Sequence, residues 1–96
     1  NWDEMWSVED AKQRLEDGWL FSVLQIDNKL RGWYWLNYET KEGLNLYVHK
    51  DSRNQGYGFG LISYIITAAK LRQLDYGSIK ARNGKATGHL YPQRSR

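Results

Sequence analysis

The sequence predicts one α/β (α+β) domain in which an antiparallel meander of three strands precedes a β-α-β crossover. Its 96 residues, 41% hydrophobic and 26% charged, are ordinary for a single globular domain. Three short runs rich in aromatic and β-branched residues, separated by turn residues, are typical of strands. A longer apolar run at 61–74 is typical of a helix packed against a sheet. The predicted element order is α-β-β-β-loop-α-β-α.

The first half of the chain predicts one helix and three strands. Ser7 and Asp10 form a capping-box pattern, and Gly18 supplies a C-terminal stop, so a short helix is expected between them. The short connections that follow favour antiparallel pairing of the next three elements. Strands are expected at Trp19–Ile26, 30–38 and 44–49.

The second half predicts a crossover and a final helix. The helix at 61–74 follows a glycine-rich loop, and residues 78–82 are typical of a short strand. A strand, a helix and a strand in succession imply a right-handed crossover and parallel pairing, so the sheet is expected to be mixed. A last helix is expected over 83–91, because Pro92 would end it.

Composition excludes several classes of function. The chain has no cysteine, which rules out disulfides, thiolate metal sites and a cysteine nucleophile. Two histidines, His49 and His89, are too few for a convincing metal site, so no metal is expected. No run approaches the ~20 apolar residues of a membrane span, and no signal-peptide pattern opens the chain. A cytoplasmic protein without membrane contacts is therefore expected.

The net charge of +3 is modest, but charge is unevenly placed along the chain. No acidic residue follows Asp75, whereas several basic residues do. This basic end either forms a solvated tail or lies near an anionic ligand such as a phosphate group.

The stretch RNQGYGFG at 53–60 places three glycines at alternate positions between a strand and a helix. The first turn of a helix has unpaired backbone N–H groups and a partial positive charge. Glycines let an anion approach these amides, and Arg53 adds a full charge, so the loop is a candidate phosphate cradle. A glycine loop that binds no ligand is the structural alternative.

Common phosphate motifs do not fit this loop. A Walker A loop requires Lys-Ser/Thr after the glycines, and the dinucleotide fingerprint requires a third glycine where Leu61 or Ser63 stands. The run QGYGFG is superficially similar to an RNA-recognition motif, but Gln55 replaces its basic residue and Gly60 its branched residue. That motif lies on a strand, whereas the residues that follow predict a helix. Nucleic-acid binding is therefore the weakest alternative.

A further pattern covers more of the chain. The stretch LYVHKDSRNQGYGFGLISYII resembles motif A of the GNAT N-acetyltransferases, the acetyl-CoA-dependent superfamily. That motif is a hydrophobic strand, a few loop residues, Arg/Gln-x-x-Gly-x-Gly/Ala and a helix. The resemblance extends from the N-terminal helix to about Tyr91 and is strongest over 44–83. It implies a GNAT-like mixed sheet with a V-shaped splay between the two strands that flank the motif helix.

The resemblance implies a binding site for acetyl-CoA as co-substrate. Backbone groups of Leu46, Tyr47 and Val48 would bind the pantetheine arm, although Tyr47 and Val48 could equally be core residues. Asn83 would lie beside the cofactor or serve as a turn residue, and Lys85 would reach the phosphates or remain solvated. The loop would bind the pyrophosphate of CoA through Arg53, Asn54, Gln55, Gly56, Tyr57, Gly58, Phe59 and Gly60.

The resemblance also implies direct acetyl transfer to a primary amine of a small molecule or peptide, without a covalent enzyme intermediate. The Val48 N–H would polarise the thioester carbonyl. Tyr91 would be the catalytic acid or an ordinary packing residue, and it stands one residue further from Asn83 than the common family spacing. Asn45 occupies the place where many members carry an acidic base. The substitutes for that base are a water chain, His49, Glu39 and Glu42.

The chain differs from the family pattern in extent. Within 1–96, taken as a single GNAT-like domain, there is no counterpart of the family's first strand and first helix or of its last two strands. The chain would be a minimal family member, a fragment, or a protomer that completes its sheet in a homodimer, since exposed strand edges invite pairing. Aromatic residues at 33–38 would line the acceptor pocket or the core. A catalytically inactive acyl-CoA-binding module is the alternative to an active N-acetyltransferase.

Overall fold

The computed structural model describes residues 7–71, 76–82 and 84–91. Within these residues it confirms a mixed α+β fold with two α-helices and a five-stranded sheet. No helix in this part of the chain is long and apolar enough to cross a membrane. A short 3-10 turn at Lys50–Ser52 precedes the second helix. The elements in chain order are α1 (Val8–Glu16), β1 (Trp19–Ile26), β2 (Lys29–Asn37), β3 (Glu42–Val48), α2 (Tyr57–Leu71), β4 (Tyr76–Ala81) and β5 (Gly84–Tyr91).

The sheet is antiparallel in every described pairing, so the predicted mixed sheet is wrong. Its strand order is β3-β2-β1-β5-β4. β3 and β4 run in the same direction, as a crossover requires, but they lie at opposite edges and form no ladder with each other. The reason is β5, which pairs with β4 on one side and with β1 on the other and so inserts an antiparallel strand between them.

The last element of the described residues is a strand, so the helix predicted over 83–91 is also wrong. β4 and β5 form a hairpin in which Ala81 pairs with Gly84. The dipeptide Asn83-Gly84 is a common hairpin signal, and glycines at 84 and 88 disfavour a helix. Asn83 itself lies outside the described residues. These two signals outweigh the helix-start interpretation of the same asparagine.

The elements predicted in the first half are confirmed. The Ser7 Oγ accepts the Asp10 N–H and the Asp10 carboxylate accepts the Ser7 N–H, each at 3.2 Å, which completes the capping box. Gly18 follows α1 with a φ of 91°. Asp27 and Asn28 join β1 to β2 with φ values of 53° and 65°, which match the turn type favoured in two-residue hairpins.

α2 lies across one face of the sheet and contacts all five strands. The fully buried aliphatic side chains of this interface come from the helix and from three strands. The ring of Tyr64 lies over the Gly77–Gly88 pair of β4 and β5, and a Cβ atom at Gly88 would lie 2.8 Å from it. Each buried aliphatic side chain contributes about 1.5–3 kcal/mol. These side chains are Leu24, Leu61, Ile65, Ile79 and Leu90.

The opposite face of the sheet is aromatic. We call it the aromatic face and define it by Phe21, Trp33, Trp35, Tyr47 and Tyr91. Phe21 lies 4.4 Å from Trp35 and 6.5 Å from Tyr91 between ring centroids, and Trp33 stacks on Tyr47 at 4.5 Å. α1 lies against β1 but contains no buried residue. Different helices therefore lie on the two faces, although Trp33 and Trp35 of the aromatic face are also buried.

Candidate active site

The N-terminus of α2 opens at the glycine loop, where the sequence predicted a phosphate cradle. The first described helical hydrogen bond runs from the Gly60 N–H to the Gly56 carbonyl at 3.0 Å. The N–H groups of Tyr57, Gly58 and Phe59 precede it, so no carbonyl of the helix accepts them. Because α2 begins at Tyr57, the run QGYGFG does not form the strand that an RNA-recognition motif requires.

The structure accounts differently for the presence of glycine at each of the three alternate positions. Gly56 has a φ of 91°, a conformation that favours glycine. A Cβ atom at Gly60 would lie 2.5 Å from the Lys80 carbonyl oxygen, so Gly60 lets α2 pack closely on β4. At Gly58 the same atom would meet side chains of β3 at an ordinary 3.7 Å. Gly58 is thus the glycine that packing explains least.

The loop is anchored from both edges of the sheet. On the β3 side, the Arg53 Nε donates to the Val48 carbonyl at 2.7 Å, and its guanidinium lies 5.8 Å from the Tyr47 ring centroid. On the β4 side, the Arg82 N–H donates to the Gln55 carbonyl at 2.9 Å, and its Nη2 donates to the Asn54 carbonyl at 3.1 Å. The candidate site therefore includes Arg82, which the sequence placed at the end of a strand and in the basic end of the chain, but not against the loop.

The edge of β3 presents backbone groups toward this loop. The His49 N–H donates to the Arg31 carbonyl at 2.7 Å, so residue 49 faces β2. Backbone groups alternate in an antiparallel ladder, and the N–H and carbonyl of Val48 therefore point away from β2. Arg53 takes the carbonyl, while the Val48 side chain lies 3.7 Å from the Cβ position of Gly58. The outward N–H of Val48 thus lies at the edge beside the α2 N-terminus.

Asn45, at the place expected for a catalytic base, lies in a bulge of β3. Pairing of β2 with β3 shifts between Trp33 and Trp35, and Asn45 has a φ of 57°. Its Oδ1 accepts a hydrogen bond of 2.7 Å from the Arg14 Nη1 of α1. The Arg14 guanidinium also lies 5.1 Å from the Trp35 ring centroid. Arg14 is a residue that sequence reasoning missed, because nothing local links it to β3.

The other base candidates are placed less favourably. The His49 Nδ1 accepts the Asp51 N–H at 3.1 Å and so caps the 3-10 turn. Glu42 begins β3, six residues before Val48, which is about 20 Å at 3.3 Å per residue. Glu39 lies in the turn before β3, further from the loop still. The structure therefore separates both glutamates from the loop.

Tyr91, the predicted acid, lies on β5 rather than on a helix. It pairs with Phe21 of β1, and its side chain is 41% exposed on the aromatic face. Lys85 also lies on β5, opposite Lys80. Within the described residues, no group of three or more histidine, aspartate or glutamate side chains is placed to bind a metal ion.

A groove of about 550 Å³ extends from the loop along the side of α2 that faces β4. Gly56 and Arg82 line it at the loop end, and Ser63 and Thr67 line it further along the helix. Phe59 is 80% exposed at its rim. The groove makes the α2 N-terminus accessible to a ligand much larger than a phosphate ion.

Comparison with known proteins gives one finding. The model of the acetyltransferase (GNAT) domain family matches residues 17–94, which run from β1 through the glycine loop to β5. No curated protein and no solved structure matches the chain. The match confirms the family resemblance drawn from the motif.

Proposed function

Because the chain belongs to the acetyltransferase (GNAT) family, we propose that it transfers the acetyl group of acetyl-CoA to a primary amine. One observation carries the proposal: the open N-terminus of α2 lies between the outward edge of β3 and the end of β4. This arrangement combines unpaired helical amides, a strand edge and two arginines around one loop. Acetyl-CoA carries phosphates, which the helical amides and the arginines would bind, and an amide-containing arm, which the strand edge would bind.

The residues present fit such a ligand. The amides of Tyr57, Gly58 and Phe59 would bind the pyrophosphate, since helix N-termini favour anions. The absence of a Cβ atom at Gly56 and Gly58 leaves the backbone accessible. Arg53 uses one N–H for Val48 and keeps further donors for a phosphate oxygen. The loop residues Asn54 and Gln55 would contribute backbone amides.

The edge of β3 fits the remainder of the ligand. Backbone groups at Leu46 and Val48 would pair with the pantetheine amides as a neighbouring strand would. In the described sheet, β3 pairs only with β2, so its outer side is not occupied by another strand. Tyr47 alternates toward the aromatic face, where it stacks on Trp33. Its ring therefore contributes to the acceptor side rather than to the pantetheine side.

Acetyl-CoA supplies an acetyl thioester: the amine nitrogen bonds to the acetyl carbon, the C–S bond breaks, and one proton passes in net from the amine to the sulfur. The Val48 N–H donates to the carbonyl oxygen, where negative charge develops. A water molecule donates a proton to the departing sulfur. Tyr91 lies three strands across from Val48 and three residues along them, about 17 Å away, which is too far for its hydroxyl to reach that sulfur. Asn45 is an amide held by Arg14, so a water molecule rather than a side chain takes the amine proton.

The proposal is tested by acetyl-CoA binding to a matched pair of variants at Phe59. Acetyl-CoA is expected to raise the Tm of the wild type by mass action. Phe59→Glu places a negative charge at the α2 N-terminus and should weaken acetyl-CoA binding roughly tenfold through repulsion of the pyrophosphate. Phe59→Gln, the neutral control, should bind nearly as tightly as the wild type.

The same pair separates binding from folding. Phe59 is 80% exposed, and a glutamate in the first turn of a helix is stabilising, so Phe59→Glu should not lower the Tm without ligand. An unchanged wild-type Tm at millimolar acetyl-CoA would contradict the proposal, and so would equal affinity of the two variants. Acetyl transfer is then followed by thiol release with a panel of primary amines.

A second candidate is an acyl-CoA-binding module that does not catalyse transfer. It is favoured by Asn45, which supplies no basic side chain and is already held by Arg14. The two functions share the loop and differ in turnover. Tight acetyl-CoA binding without thiol release across the amine panel would favour this module over the acetyltransferase.

A further inference from the structure

Arg14 occupies an unusual place on the aromatic face. It belongs to α1, which lies against β1, yet its side chain reaches across β2 to β3. Its guanidinium lies 5.1 Å from the Trp35 ring centroid, and Nη1 donates to the Asn45 Oδ1 at 2.7 Å. The residue is partly buried. One cation is thus held in a fixed place above the aromatic rings.

The guanidinium has no counter-ion among the residues that the structure describes. No carboxylate of residues 7–71, 76–82 or 84–91 forms an ion pair with it. Its polar partner, Asn45, is neutral and accepts one of the five N–H groups of the arginine. A partly buried cation is stabilised by an anion, and arginine binds a carboxylate through two parallel hydrogen bonds. The remaining donors of Arg14 fit such a group.

The position of Arg14 relates it to the proposed transfer site. Paired residues divide the aromatic face into two adjacent rows: Tyr91, Phe21 and Trp35 form one, and Trp33 and Tyr47 belong to the next. Rows two residues apart are about 7 Å apart along the strands. Arg14 lies over the first row, and Tyr47 precedes Val48, beside which the reacting carbonyl is proposed to lie.

We propose that the amine acceptor is a small amino acid that carries a carboxylate, and that Arg14 binds this carboxylate. The inference rests on the proposed function. The acceptor carboxylate would lie about 2.8 Å from the Arg14 guanidinium, and its amine nitrogen about 3.2 Å from the thioester carbonyl carbon beside Val48. These two distances leave room for only a few covalent bonds between the carboxylate and the amine. An α-amino acid has that separation. The partly exposed ring of Tyr47, between Asn45 and Val48 in β3, packs against its carbon skeleton.

The test uses acceptor pairs that differ only in the carboxylate: phenylalanine with phenylethylamine, and leucine with 3-methylbutylamine. In the wild type, kcat/KM should favour the amino acid of each pair roughly tenfold to hundredfold, the range of a hydrogen-bonded ion pair. Arg14→Gln should raise KM for the amino acids until this preference falls to about twofold or less. Its kinetics with the plain amines should change little.

Two variants and one binding measurement control the experiment. Lys12→Gln removes an equal charge from the exposed side of α1 and should keep the preference. Arg14→Lys should keep part of it, because lysine retains the charge without the bidentate geometry. Calorimetry with N-acetylphenylalanine and N-acetylphenylethylamine reports the carboxylate site without turnover. Only the former should bind, and its binding should depend on Arg14.

Several outcomes would overturn the inference. Acetylation of the amines without preference for the amino acids would do so, as would an equal loss for both members of each pair in Arg14→Gln, which indicates a structural role. Weaker acetyl-CoA binding in Arg14→Gln would assign the arginine to the co-substrate instead. If nothing is acetylated, the proposed function fails, but Arg14-dependent binding of N-acetylphenylalanine would still support the carboxylate site and its absence would refute it.

Discussion

The two faces of this five-stranded sheet are built from different side chains and have different coverings. The α2 face is aliphatic: Leu24 of β1 and Leu61 and Ile65 of α2 are fully buried where the helix packs on the sheet, and α2 contacts every strand. The aromatic face carries larger rings, and the helix lying on it contributes no buried residue. Arg14 and Arg53 lie over rings of that face at 5.1 and 5.8 Å.

This difference assigns the residues that stabilise the fold to one face and the proposed acceptor-binding residues to the other. Aliphatic side chains sealed by α2 supply burial without polar groups, and they hold the loop and the sheet edges in place. The aromatic face buries Trp33 and Trp35 but keeps Tyr91, Arg14 and Arg53 at least partly exposed. Substitutions of the aliphatic residues under α2 should therefore change the free energy of unfolding, and substitution of Arg14 should change the acceptor preference.

The largest effect is expected at Leu61. Leu61→Ala leaves a cavity under α2 and should lower the free energy of unfolding by about 2–5 kcal/mol. Val8→Ala, a control at a 64% exposed position of α1, should change it by less than about 0.5 kcal/mol. Urea denaturation measures both. A cost at Val8 comparable to that at Leu61 would mean that α1 seals its face as tightly as α2 does.

A smaller change in the free energy of unfolding should distinguish Gly60 from Gly58 in the glycine loop. Gly60→Ala places a Cβ atom 2.5 Å from the Lys80 carbonyl oxygen, and moving α2 off β4 should cost about 2 kcal/mol. Gly58→Ala meets only ordinary 3.7 Å contacts and gains helix propensity, so it should be neutral or stabilising by up to about 1 kcal/mol.

Thermal or urea unfolding of both glycine variants is the measurement, and acetyl-CoA binding should show the reverse order. Gly58 lies at the proposed ligand surface, so its alanine variant should lose affinity while keeping its stability. If Gly58→Ala is the less stable of the two, the packing roles assigned to these glycines are wrong.

The smallest effect is expected at Tyr91. Tyr91→Phe removes a hydroxyl that lies about 17 Å from Val48, so it should change kcat by less than about twofold without changing the Tm. Steady-state kinetics and thermal unfolding measure the two quantities. A loss of kcat of tenfold or more would mean that the Tyr91 hydroxyl takes part in the transfer, and the placement of the reacting carbonyl beside Val48 would then be wrong.

Local patterns explain which parts of the fold could be predicted. The capping box at Ser7 and the strands up to β3 depend on neighbouring residues, and both were predicted, the strands nearly to their ends. The secondary structure of residues 84–91 depends instead on the strands with which they pair. They complete a ladder with β1, a partner far away in the chain, and no short-range pattern specifies that pairing.

The candidate site also combines a part that the sequence predicts with a part that it does not. The glycine loop is contiguous, so its spacing could be recognised from the sequence. The residues that hold it are not contiguous: Arg82 bonds to Asn54, and Arg14 bonds to Asn45. Both arginines are long side chains whose partners are chosen by the three-dimensional fold. Sequence reasoning could place them on elements but could not assign their contacts.

The β1–β5 ladder has a consequence for how the chain folds. It pairs Phe21 with Tyr91, near opposite ends of the described chain, while the β1–β2, β2–β3 and β4–β5 ladders join neighbours in sequence. Closing so long a loop costs conformational entropy before its contacts form, which slows folding. During synthesis, the ribosome must release residue 91 before the central ladder can form. Until then β1 exposes an unpaired edge, and chaperone binding at that edge should be strongest at this stage.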